Sequence, residues 1–103
     1  MIKKISITTG DTDGIGLEVA AKALYELKKS RDIQFILWRA HDVNPKYLRL
    51  LKDSWRPRQV TSWEEALRDQ KAGLIDLASD LLPPQWVELS AQAAFKKEIH
   101  ESI

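Results

Sequence analysis

Apolar and polar residues alternate from Lys3 to Thr9, with Ile5 and Ile7 on one face, and this predicts a strand. The spacing then lengthens. Leu17, Ala20, Leu24 and Leu27 recur every three or four residues, the stripe of a helix running from about Gly14 to Lys29. Glu18 in its first turn and Lys28 and Lys29 in its last suit the helix dipole. Ile33-Gln-Phe-Ile-Leu-Trp38, entered from Asp32, is nearly continuously apolar, as strands of a buried parallel sheet are. Asn44-Pro45 reads as an N-cap with proline at the first helical position, and Arg56-Pro57 ends that helix. Its predicted buried side is Tyr47, Leu48, Leu51 and Trp55.

Arg58 to Thr61 can add a short strand, and Ser62-Trp-Glu-Glu65 is a capping box opening a short helix to about Arg68 or Gln70. Gly73 closes that unit, and Leu74-Ile75-Asp76-Leu77 reads as a third strand or an extended segment. Pro83-Pro84 opens a last helix from about Gln85 to His100, with Val87, Ala91, Ala94 and Phe95 as its apolar face. The alternation predicts an α/β chain: a partial, largely parallel sheet with flanking helices. No strand is expected after the last helix, so residues 1–103 read as a single truncated α/β domain.

The composition agrees with a globular chain, 44% of its residues hydrophobic and 30% charged. Sixteen basic and fifteen acidic side chains leave a net charge of +1, which supports neither a nucleic-acid nor a membrane partner. Cysteine is absent, so there is no disulfide framework and no thiolate chemistry. No apolar run approaches the ~20 residues of a membrane span. The start, Met-Ile-Lys-Lys-Ile-Ser-Ile, reads as a strand and not a signal peptide. A cytoplasmic location is expected.

The densest chemistry lies where the first strand meets the first helix. Gly10, Gly14 and Gly16 fall in a polar turn that leads straight into helical periodicity. Such a turn lets a ligand approach the main chain closely and exposes the N–H groups of a helix start. The spacing G-x-x-x-G-x-G is neither the dinucleotide fingerprint nor a P-loop, and no Lys-Ser or Lys-Thr follows Gly16. Asp11 and Asp13 also serve as turn and N-cap residues, and Glu18 suits a helix N-terminus without any ligand.

The wording of the turn adds to its glycine count. Gly10-Asp11-Thr12-Asp13-Gly14-Ile15-Gly16-Leu17-Glu18 resembles the opening of the 4-hydroxythreonine-4-phosphate dehydrogenase family of vitamin B6 biosynthesis. Family members carry Gly-Asp-Pro-Ala-Gly-Ile-Gly-Pro-Glu there, and Gly10, Asp11, Gly14, Ile15, Gly16 and Glu18 match in type and spacing. The related isopropylmalate and isocitrate dehydrogenases have a turn two residues shorter. This chain departs at Thr12, Asp13 and Leu17, losing both prolines of the pattern.

The resemblance is specific over the first quarter of the chain and architectural beyond it. It implies the N-terminal segment of an isopropylmalate dehydrogenase-like fold, with the six matching residues binding cofactor or substrate. It also implies NAD or NADP and a divalent metal as cofactors of the full-length enzymes, with neither expected to bind tightly to this chain, a phosphorylated small-molecule substrate and a homo-oligomeric form. The family's metal-binding histidines and main phosphate contacts lie beyond the part this chain resembles, so no catalytic residue and no metal ligand is assigned here.

Other candidates are weaker. His41 and His100 are the only histidines, far apart and without a ligand-type spacing. His41 follows a strand at the expected ligand-facing edge, whereas His100 reads as exposed. Thr8 and Thr9 suit a strand. The Lys and Arg residues from Lys46 to Arg68, interleaved with Trp55 and Trp63, are broken by Asp53, Glu64, Glu65 and Asp69 and read as solvated helix faces. Two functions follow. One is an inactive portion of the dehydrogenase described above. The other is a non-catalytic α/β module that associates with itself through an incomplete sheet.

Overall fold

The computed structural model of the protein describes residues 2–9, 15–27 and 32–103. Nine elements follow in order: β1 (Lys3–Thr8), α1 (Ile15–Glu26), β2 (Ile33–Ala40), α2 (Pro45–Trp55), β3 (Arg58–Val60), α3 (Trp63–Arg68), β4 (Gly73–Ser79), α4 (Pro83–Phe95) and β5 (Glu101–Ser102). The five strands form one sheet in the order β3-β4-β2-β1-β5, and every pairing is parallel. The expected α/β architecture is therefore present, with a sheet that is wholly parallel.

The strand order follows from crossover handedness. From β1 to β2 to β3 the chain advances across the sheet, and from β3 to β4 to β5 it returns. Right-handed crossovers place helices on opposite faces when the direction reverses. The two buried clusters divide accordingly. Ile5, Phe35, Leu37 and Leu74 pack with Leu17, Ala21 and Leu24 of α1 and Leu51 of α2. Ile36, Trp38, Ile75 and Leu77 pack on the other face with Trp63 and Ala66 of α3 and Trp86 and Ala93 of α4. Strands covered on both sides need apolar residues at consecutive positions, which is why β2 and β4 are continuous runs.

Helix ends are closed by side chains. Asn44 Oδ1 accepts the Lys46 N–H at 2.9 Å, and Ser62 Oγ accepts the Glu65 N–H at 3.2 Å. α2 stops at Arg56, in the left-handed region at φ 49°, whose N–H donates back to the Lys52 carbonyl.

Four expectations need correction. The last helix ends at Phe95, not His100, because Lys97 turns left-handed at φ 61° while the Lys97 and Glu98 N–H groups donate to Ala94 and Ala93 carbonyls. The freed chain then makes a strand that the sequence did not announce: Ile5 and Ser6 pair with Glu101 and Ser102. The buried face of α4 is Trp86, Ser90 and Ala93, so Val87 and Phe95 point to solvent, Phe95 at 89% exposure. Trp86 sets that rotation by stacking on Trp38, ring centres 5.9 Å apart. Finally, Leu27, just past the end of α1, is 44% exposed and not part of the buried stripe.

Candidate functional site

The carboxyl ends of β1, β2 and β4 define one edge of the sheet, where parallel α/β folds place their ligands. At the end of β1, buried Thr9 donates its hydroxyl to the Trp38 carbonyl at 2.8 Å and ties β1 to β2 beyond the last ladder bond. Gly16, in the first turn of α1, lies directly against Thr9. A Cβ there would sit 1.6 Å from the Thr9 carbonyl oxygen and 2.7 Å from its carbon. Helix start and strand end therefore touch backbone to backbone, an approach that only glycine permits.

Of the six residues singled out by the turn, Gly10, Asp11 and Gly14 lie outside the described residues, as does Asp13. Ile15 opens α1. Glu18 is turned sideways toward α2. Its carboxylate accepts from Lys22 Nζ at 2.9 Å, and with Lys22, Lys46, Tyr47 and Asp53 it lines an open groove of about 570 Å³ between the two helices. The Lys22 hydrogen bond and charge hold the Glu18 carboxyl below the usual carboxylate range, helped by the Tyr47 hydroxyl and the Lys46 charge. Thus the structure brings Gly16 to the strand end but sends Glu18 to a helix–helix groove.

A second arrangement on the same edge lies between β2 and β4. The connection after β2 leaves toward α2 on one face, and that after β4 toward α4 on the other. Their divergence makes the topological switch point of this sheet. His41 follows β2 and Asp80 follows β4, and they meet there, Nε2 to Oδ1 at 2.9 Å, both exposed. Beneath them Arg39 and Asp76 form a buried two-point ion pair, Nε to Oδ1 at 2.7 Å and Nη2 to Oδ2 at 3.1 Å. Arg39 Nη1 also donates to the Ala40 carbonyl at 3.0 Å, which fixes the chain just before His41.

Comparison with family models, with curated proteins and with solved structures finds no match. The likeness to the hydroxythreonine-phosphate enzymes rests on the turn residues alone.

The sequence reading passed over the Arg39–Asp76 pair. A signal existed, because Arg39 and Asp76 are the only charged residues in two strands buried on both faces, and buried charges are paired. His100 is exposed as expected, yet its Nδ1 accepts the Lys4 N–H at 3.0 Å, which fastens β5 to β1 and gives it a structural role. Trp63 is buried against Trp38, and Trp55 donates Nε1–H to the Leu24 carbonyl at 2.7 Å. Neither ring forms a platform for stacking bases. Among the described residues no group of three or more His, Cys, Asp or Glu side chains could hold a metal, and no helix is long and apolar enough to cross a membrane.

Proposed function

We propose that this chain supplies the glycine-turn side of a dehydrogenase site for 4-hydroxythreonine phosphate in pyridoxal phosphate biosynthesis. NAD or NADP would be the hydride acceptor there. The chain alone would be inactive and would hold such ligands only weakly. The observation that carries this reading is the contact between Gly16 and the Thr9 carbonyl. It puts the start of α1 against the carboxyl end of the inner strand β1, the kind of place at which parallel α/β folds hold small molecules by main-chain groups.

A divalent metal does not fit the described residues, which offer no three-ligand cluster, so no chemical step is assigned through one. What this chain contributes is shape and main-chain polarity at the floor of a site. The homo-oligomeric form that the resemblance implies is part of the same proposal.

The test is an amide-resolved NMR titration of the chain with NAD, then with phosphorylated 4-hydroxythreonine in the presence of magnesium. Shifts concentrated between Thr9 and Glu18, reduced in Asp11→Ala and unaccompanied by NADH formation, are the expected result. A titration that leaves those amides unmoved, or shifts clustered on another face, would sink the proposal.

A further inference from the structure

One rung of the sheet is closed by a side chain. Just ahead of β5, the His100 N–H donates to the Lys4 carbonyl at 2.8 Å, and the Lys4 N–H donates in return to His100 Nδ1 at 3.0 Å. A regular ladder would meet that N–H with a backbone carbonyl, which does not titrate. Here the acceptor is an imidazole lone pair, and imidazole is the side chain that changes charge between about pH 5 and 8. A ring nitrogen accepts only while it carries no proton. We infer that His100 is a pH-sensitive latch: with Nδ1 unprotonated it docks β5 along β1, and its protonation releases that strand.

Few other bonds hold β5. Its two residues, Glu101 and Ser102, are exposed and pair only with Ile5 and Ser6. Beyond them the Ile103 N–H donates to the Ser6 carbonyl at 2.8 Å, and the Thr8 N–H and hydroxyl donate to the Ile103 carbonyl at 3.0 and 3.1 Å. Ile99, one residue before the latch, is buried in the cluster beneath α3 and α4. Loosening therefore stops at Ile99, and residues 100–103 come away while α4 stays packed.

The surroundings do not replace the broken rung. Among the described residues, the charged groups on the elements packed against β5 are Lys3 and Lys4 of β1 and Glu88 of α4. Lys96, Lys97 and Glu98 lie in the turn before the ring, and Glu101 follows it. Lys4 Nζ is turned away to the Leu67 carbonyl at 2.7 Å. Four cations against three carboxylates leave no net negative charge to retain the ring once it is protonated. The docked strand binds one proton fewer than the released one, so docking weakens as the pH falls. The effect reaches the candidate site, because the Thr8 rung braces β1 one residue before Thr9, whose carbonyl meets Gly16. The latch needs no ligand and is independent of the dehydrogenase reading.

Amide hydrogen exchange, expressed as protection relative to the intrinsic rate at each pH, tests it on the 103-residue chain. Protection of Lys4, Thr8, His100 and Ile103 should fall about tenfold between pH 7.5 and 5, the loss expected of one rung and its unmet donor. His100→Asn sets an amide oxygen where Nδ1 stands and should keep that protection at both pH values, with His41 and every carboxylate still present to titrate. Nitrogen-15 spectra of the parent at pH 7.5 should place the His100 proton on Nε2. Protection that does not change with pH in the parent overturns the inference. So does an equal fall in His100→Asn, or a proton found on Nδ1 at pH 7.5.

Discussion

Gly16→Ala is the sharpest perturbation available, because its target is backbone and cannot step aside. The added Cβ would lie 1.6 Å from the Thr9 carbonyl oxygen and 2.7 Å from the carbonyl carbon. Ordinary non-bonded contact begins at about 3.5 Å, so helix and strand must part by roughly 2 Å. Thr9 cannot yield alone, since its side chain is buried and tied to the Trp38 carbonyl. The helix must move, lifting Leu17, Ala20, Ala21 and Leu24 off Ile5 and Phe35.

Full burial of a leucine is worth about 1.5–3 kcal/mol, and two leucines lie under this helix. Losing half of each, together with the strain that remains, gives a cost of about 3–5 kcal/mol. That is a large share of the stability of a small domain. Urea unfolding followed by tryptophan fluorescence measures it directly, since Trp55 packs edge-on against Phe35 in the affected cluster. Ala20→Gly is the control, expected to cost about 1 kcal/mol from helix propensity plus a lost methyl contact. If Gly16→Ala unfolds within about 1 kcal/mol of the parent, the close approach of α1 to β1 is wrong and with it the argument for the turn.

Three further outcomes follow from the same structure. Asp76→Ala leaves Arg39 buried without its partner and should cost about 3–5 kcal/mol in chemical denaturation, whereas Arg39→Met with Asp76→Leu should fall near the parent; equal losses in both would show that the pair matters for more than its charge balance. Asp69 is held below its ordinary carboxylate value, since the Arg58 guanidinium, the Lys71 N–H and the Lys4 charge together outweigh the upward push of burial. A depressed folded-state value means stability present above pH 3.8 and lost as the pH falls through the folded value, so Asp69→Asn should flatten that acid limb of a stability–pH curve. Ser90→Ala removes the 2.7 Å bond to Ser6 but leaves Ser6 accepting from Trp38 Nε1, so a loss of about 1 kcal/mol in thermal or urea unfolding is expected, and a loss near that of Asp76→Ala would contradict it.

How much of this was legible in the chain depended on how local the cause was. β2, β4, the Asn44 cap and the Ser62 cap each carry their reason within a few residues, and each is where the pattern puts it. The apolar pattern of α4 points its stripe away from the true face, only Ala94 reaching the core, because the buried stripe contains a serine, and Ser90 is tolerated inside only through Ser6, from the far end of the chain. β5 was missed because the helix stop is a left-handed lysine in place of glycine, and its pairing with β1 is entirely non-local. The placement of Glu18 was equally hidden. A first-turn carboxylate looks the same in sequence whether it faces a ligand or, as here, a lysine one turn on and a second helix.

The candidate site shows the same division. Gly16 could be picked out because a required glycine is a local fact. The switch point could not, because it depends on strand order, and strand order is set by the direction of each crossover, which no short motif records. Yet the charges in the strands carry a trace of it. Arg39 and Asp76 lie on the same face of strands buried on both sides, and each is intolerable there without the other. They can meet only if β4 inserts beside β2, ahead of β3. The pair is therefore a constraint on topology written into the sequence, and its position places the divergence of the two loops, with His41 and Asp80 above it, at the carboxyl edge.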